Sequence, residues 1–309
     1  MNESAVMDWL LSGDVSIQYQ TRAYLLGEPE EDLLPLRRRI AEEGWGKMLL
    51  DARNASGHWG RGFYQVKWVS SHYTLLDLRY LETQPLAPIT STLQLILDTC
   101  RACDGSISES RMRTPGDMCV NGMFLNYAAF FRTAEGKLAP VVDYILDGSL
   151  DDGGFNCESL RRKVRHSSMH TTISVLEGIR EYLKAGYTYR AEELKKGREC
   201  AEEFLLVHRL FRSDKTGNII DPRWLMLSFP SRWHYDILRA LAYFADASLP
   251  YDSRMEEALD VLVSKRRKDG TWPIQAKHPG AVHFDMEQPG NSSRWNTLRA
   301  LRVLKAYRG

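Results

Sequence analysis

Six stretches of the chain place apolar residues at the i, i+3, i+4 and i+7 spacing of a helix: "SIQYQTRAYLLGE", "SSHYTLLDLRYLE", "CVNGMFLNYAAFF", "MHTTISVLEGIREYL", "WHYDILRALAYFAD" and "RWNTLRALRVLKAY". Between them lie five further helical patterns: "PLRRRIAEEGWGKMLLDA", "APITSTLQLILDTCRA", "KLAPVVDYILD", "YRAEELKKGRECAEEFLLVH" and "SRMEEALDVLVSKRRK". Several of these five carry a clear charged face, which predicts helices packed on one side only. Few segments alternate with the period of a strand, so the pattern predicts an all-α chain of about six helical hairpins.

The hairpins are punctuated by recurring turns, "SGHWG", "CDGSI", "DDGGF", "LFRSDKTGN" and "KDGTW", about 48 to 58 residues apart. A fixed period with glycine followed by an aromatic or β-branched residue marks stacked supersecondary units. An open solenoid needs polar capping repeats, yet the final copy "NTLRALRVLKAYRG" is as apolar as the internal ones. The pattern therefore predicts closure, with residues 1–309 forming a single domain.

Composition narrows the function classes. With 41 Lys and Arg against 40 Asp and Glu, the net charge is +1, which gives no global electrostatic case for nucleic acid. The N-terminus "MNESAVMDWLLSGDVS" lacks a basic region and a long apolar run, and no segment reaches the roughly 18 apolar residues of a spanning helix. These features predict a cytoplasmic chain with no stable membrane insertion. Five cysteines, an odd number, predict reduced thiols rather than a disulfide framework. Cys100 and Cys103 form one CxxC without a second pair, so a helix end is the expected reading.

The Gly-aromatic turns resemble the QW-type repeats of terpenoid cyclases and the related turns of protein prenyltransferase β-subunits, and the resemblance covers nearly the whole chain. It implies an (α/α)6 toroid, with an inner ring of helices around a central cavity and an outer ring behind it. Loop ends and inner-helix N-termini would then form one mouth of the cavity, an environment suited to an anion such as a diphosphate. The same loops carry Lys67, Arg111, Arg113, Arg161, Arg162, Lys163, Arg165, Arg223, Arg232 and Arg294. Arg161 to Arg165 form a cluster that leads directly to a helix start.

Aligned without gaps on their apolar patterns, four inner helices place His72, Cys119, His170 and His234 in one slot. Asp117 joins Cys119 and His170. A carboxylate, a thiolate and an imidazole are together the ligand set of a catalytic Zn²⁺ with one position open. Asp117-x-Cys119, followed one repeat later by His170, resembles the zinc site of protein prenyltransferase β-subunits. That resemblance implies catalytic and metal-binding roles for Asp117, Cys119 and His170, and a diphosphate contact for Arg111. It departs at Thr114, where the family has a lysine, and at Val120, where it has an aromatic residue. The separate α-subunit of the eukaryotic enzymes is not part of this chain. A terpenoid cyclase would need an Asp-x-Asp-Asp motif, which is absent, and Asp151-Asp152 lies in a glycine turn.

Trp68, Tyr73, Phe124, Tyr127, Trp233, Tyr235 and Trp295 fall near inner-helix starts, where they would line an apolar pocket. The long final loop, "WPIQAKHPGAVHFDMEQPGNSSRW", adds His278, His283 and Asp285 as candidate contacts. The expected substrate-binding set is Arg111, Arg113, Arg165, Trp68, His72, Tyr73, Trp233, His234 and Trp295. The expected function is a prenyltransferase-like protein that holds an isoprenoid diphosphate beside a Zn²⁺-activated thiol acceptor, the acceptor being a protein, a peptide or a small molecule. The alternatives are a terpenoid cyclase-like enzyme and a non-catalytic toroid that binds a lipid, a peptide or a protein partner.

Overall fold

Helices form where the apolar period predicts them. The computed structural model describes residues 3–109 and 115–309. In chain order it contains α1 (Glu3–Leu11), α2 (Val15–Gln20), α3 (Glu30–Arg39), α4 (Gly44–Asp51), α5 (Ser71–Tyr80), α6 (Ala87–Cys100) and α7 (Met118–Phe130). There follow α8 (Glu135–Asp147), α9 (Ser159–Arg162), α10 (Met169–Lys184), α11 (Ala191–Val207), α12 (Ile237–Asp246), α13 (Glu256–Ser264) and α14 (Arg294–Tyr307). A single two-residue antiparallel pairing, β1 (Trp272–Pro273) with β2 (Ser292–Ser293), precedes α14. Where the sequence predicts one helix over "PLRRRIAEEGWGKMLLDA", the structure has two. The start of α4 is fixed from elsewhere, because Trp45 N–H donates to the Asp14 carboxylate at 2.8 Å.

The backbone groups into two compact units, each assembled from separated stretches. The first comprises Met1–Ala52, Tyr80–Gln84 and His208–Gly309, and the second Arg53–Arg79 and Pro85–Val207. Within the first unit α14 packs on α2 and α12, so the last helix meets one of the first. Arg302 lies over the Tyr24 ring at 3.9 Å and Arg294 over the Trp9 ring at 4.5 Å, tying the C-terminal helix to the N-terminal segment. In the second unit α7 packs on α10, and α8 and α11 cover them. Helix α7 is buried on nearly every face, whereas α8 and α11 bury one side only, as their charged faces require.

The recurring turns share one construction. Gly57, Gly105, Gly153, Gly217 and Gly270 all have positive φ, between 71° and 93°. In four of them the residue three before the glycine (Asn54, Ala102, Leu150 or Arg267) accepts the glycine N–H and donates to the carbonyl just after it. Two residues past each of these four glycines, a large apolar residue turns inward: Trp59, Ile107, Phe155 and Trp272 are at most 1% exposed. Burial of a side chain of this kind contributes about 1.5–3 kcal/mol. Its backbone N–H is satisfied by a side-chain oxygen in the first turn of α5, α7, α10 or α14. Trp59 donates to Ser71 Oγ at 3.0 Å, Ile107 to Asn121 Oδ1 at 2.7 Å, Phe155 to Thr172 Oγ1 at 3.0 Å and Trp272 to Thr297 Oγ1 at 2.9 Å. The copy at Gly217 has one extra residue between Ser213 and the glycine, and its inward position, Ile219, is 40% exposed.

Candidate functional site

These anchoring bonds give the true register of the helix starts. Cys119 and His170 each lie two residues before the anchor, Asn121 or Thr172, and so do share a slot; Trp295, two before Thr297, shares it too. His72 lies one residue after its anchor, Ser71, and sits deeper. It is fully buried, with Nδ1 3.0 Å from Tyr127 Oη, and burial lowers its pKa to about 3. His72 is thus a neutral core residue. His234 stays outside helical structure, because Asp236 caps α12 by accepting from Arg239 N–H at 2.8 Å.

Around the starts of α7 and α10 in the second unit, chemistry-bearing side chains converge. Asp117 holds the N-cap position of α7 but does not cap it, pairing instead with Arg161 of α9 at 2.7 Å. Arg161 Nε also donates to the Pro115 carbonyl at 2.9 Å. Cys119, the second residue of α7, donates its N–H to Cys157 Sγ at 3.2 Å, and Thr171 Oγ1 lies 3.3 Å from the same sulfur. The donor groups of Cys119 and Thr171 hold the Cys157 thiol below its ordinary value, while the shared sulfur contact and burial push Cys119 up. Beside them opens a cleft lined by Phe63, Tyr64, Ile107, Ser108, Glu109, Asp117 and Val120. Tyr64 Oη lies 3.1 Å from Tyr73 Oη, and burial raises its pKa.

The expected zinc triad is not assembled in this arrangement. Among the described residues no group of three or more His, Cys, Asp and Glu side chains is placed to hold a metal ion. Asp117 is committed to Arg161 and Cys119 to Cys157, partners that lie outside the sequence motif. The expected diphosphate contacts fare unevenly. Arg111 and Arg113 lie outside the described residues, Arg161 is neutralised by Asp117, Arg162 pairs with Glu158 at 3.2 Å, and Arg165 is exposed.

Most of the expected pocket aromatics are packed core instead. Tyr73, Phe124 and Tyr127 are 0% exposed, so these rings border no space that a water molecule could enter. Trp68, 5% exposed, packs edge-on against Tyr73 at 4.8 Å with Lys67 over its ring. In the first unit Trp295 is buried between Phe229, at 4.5 Å, and Trp45, at 6.1 Å. Trp233 and His234 are half-buried; Trp233 stacks on His234 at a centroid distance of 3.8 Å, and His234 stacks on His278 of the long final loop at 3.7 Å. His283 in that loop is half-buried with its pKa lowered by burial and Arg232, and Asp285 pairs with Lys277. The residues that sequence reasoning missed are Tyr64, Glu109 and Cys157. Cys157 had one available signal, its place two residues after the inward aromatic of a glycine turn.

No family model matches the chain, and no curated protein matches it. Solved structures do. A polysaccharide lyase aligns over 99% of this chain and 97% of its own, with a TM-score of 0.54 and 13% identity. A glycosyl hydrolase family 88 protein from Bacteroides vulgatus aligns over 94% of this chain and 89% of its own, with a TM-score of 0.51 and 12% identity. The type II terpene cyclase MstE from Scytonema aligns over 89% of this chain and 98% of its own at 13% identity, but its TM-score of 0.36 carries no argument. At such identities the likeness shows the fold alone, the all-helical α/α toroid class. Among the described residues no helix is long and apolar enough to cross a membrane.

Proposed function

We propose that the protein binds a small organic molecule in the cleft beside α7, and that the ligand is a neutral saccharide or the end of a saccharide chain. The observation that supports this reading is the meeting, along one cleft, of the aromatic and aliphatic residues Phe63, Tyr64, Ile107 and Val120 with the acidic residues Glu109 and Asp117. A sugar ring has an apolar C–H face that packs on a ring such as Tyr64, and hydroxyls that donate to carboxylates. An isoprenoid diphosphate fits less well, because Asp117 already neutralises Arg161 and Glu109 adds a second carboxylate. Two solved structures with this fold are a polysaccharide lyase and a glycosyl hydrolase; that likeness gives the fold, and the choice of a saccharide rests on the lining.

The test is calorimetric titration with a panel of neutral mono- and oligosaccharides, alongside farnesyl diphosphate and elemental analysis for zinc. At least one saccharide is expected to bind, with affinity reduced about tenfold or more in Glu109→Gln and in Asp117→Asn, since hydrogen bonds to charged groups contribute about 1.5–3 kcal/mol. Incubation of any binding saccharide with the protein, followed by product analysis, then distinguishes cleavage from simple retention. Farnesyl diphosphate binding with near-stoichiometric zinc, and no response to any saccharide, would overturn the proposal. It would restore the prenyltransferase-like reading with Asp117, Cys119 and His170 as ligands, which requires Asp117 to leave Arg161.

A further inference from the structure

Cys119 and Cys157 are 38 residues apart in sequence, yet the structure sets them face to face. Cys119 belongs to the first turn of α7, whose leading N–H groups have no partner within the helix. Its N–H is aimed at Cys157 Sγ at 3.2 Å, and Thr171 Oγ1 approaches that sulfur at 3.3 Å from the first turn of α10. Cys119 therefore stands directly beside the Cys157 sulfur. One sulfur therefore collects several donors while the other stands beside it, an asymmetry suited to one attacking and one resolving thiol. Both residues are half-buried, within reach of a small oxidant but shielded from a second protein, whereas Cys103 and Cys200 are exposed.

We propose that Cys119 and Cys157 form a reversible disulfide pair, with Cys157 as the attacking sulfur and Cys119 as the resolving one. With hydrogen peroxide as oxidant, the Cys157 thiolate attacks one oxygen and the O–O bond breaks. Cys157 becomes a sulfenic acid, and the other oxygen leaves as water after taking up a proton. The Cys119 sulfur then attacks the sulfenic sulfur, the S–S bond forms, and the hydroxyl departs with the Cys119 proton as a second water. Two thiols lose two electrons and one peroxide yields two waters; a dithiol reductant returns the pair to thiols. The bond would fasten the segment just before α9, which carries Arg161, to the start of α7, where Asp117 receives it.

The experiment treats the reduced full-length chain with one equivalent of hydrogen peroxide and maps its peptides by mass spectrometry under non-reducing conditions. The expected dominant product is a peptide linked through Cys119 and Cys157, absent after dithiothreitol. In Cys119→Ser, Cys157 is expected to accumulate as a sulfenic acid trapped by dimedone. In Cys157→Ser, Cys119 is expected to remain a thiol. Thr171→Val, which removes one donor and keeps the side-chain shape, should slow linkage about two- to tenfold. Oxidation that falls on Cys103 and Cys200 while Cys119 and Cys157 remain thiols would overturn the proposal, and so would equal dimedone labelling of Cys119 in Cys157→Ser. The wild-type map needs no variant, so a variant that fails to fold leaves the result standing.

Discussion

The two compact units bury their central helices by opposite means. In the second unit α7 and α10 approach until glycines meet: a methyl on Gly178 would stand 2.3 Å from the Gly122 carbonyl oxygen, and one on Gly122 would stand 2.7 Å from the Ser174 carbonyl oxygen. In the first unit the space beside α14 is filled by flat rings, with Trp295 between Phe229 and Trp45 and Tyr80 in edge contact with Phe229. Close backbone approach and ring stacking both exclude water from the buried side of a helix. They fail under opposite substitutions, the first when atoms are added and the second when they are removed.

The largest effect is expected from Trp295→Ala, which empties the stack and should lower the unfolding free energy by about 3–5 kcal/mol in urea titrations. A loss under about 1 kcal/mol would mean that the neighbouring rings collapse into the gap. Gly178→Ala should cost about 1–3 kcal/mol, because the clash is with backbone rather than with a side chain that can swing away. A neutral Gly178→Ala would break the comparison, since it would show that the two helices can part freely.

The smallest effect concerns buried carboxylates, and here too the units differ. In the second unit, burial pushes Glu181 up, but Arg79, at 2.6 Å, together with Arg180 and Lys184 outweighs it, and the net pKa is lowered. In the first unit, burial of Asp236 outweighs Arg299, the Arg239 N–H and the Ser228 hydroxyl, and the net pKa is raised. The signs then diverge. Glu181 contributes stability above its unfolded value of about 4.3, lost as pH falls through its lower folded value; Asp236 contributes stability below about 3.9, lost as pH rises through its higher folded value. Relative to Glu181→Gln, the wild type should therefore lose its advantage as the solution is acidified below about pH 4. Relative to Asp236→Asn, which can keep the helix cap, the wild type should lose ground as pH rises from about 4 to 7. Parallel slopes for the two variants, measured by denaturant unfolding across pH, would show that both sites are governed by the same balance.

Much of the fold was legible because its rules are local. Helical periodicity located the helices of all six apolar stretches, and the glycine turns announced themselves because a positive φ favours glycine wherever the chain reverses this way. The ungapped alignment went astray at His72, since loops of unequal length separate each turn from its helix, and only the bond from Trp59 to Ser71 sets the register. It held for Cys119 and His170, where the anchors Asn121 and Thr172 stand at the same offset.

The site was legible in its address and not in its partners. That something polar would gather where Asp117 and Cys119 open α7 follows from the sequence, because a helix start presents unpaired N–H groups that some acceptor must meet. Which acceptor arrives is a tertiary matter. Cys157 takes the Cys119 N–H, and Arg161 takes Asp117, because the segment after the Gly153 turn folds back over α7. The sequence by itself determined an all-helical chain of hairpins closed by glycine turns, since periodicity and backbone conformation are properties of neighbouring residues. The tertiary structure alone decided that Tyr73, Phe124 and Tyr127 fill a core and that two cysteines distant in sequence meet, since burial and pairing depend on which segments the packed helices bring together.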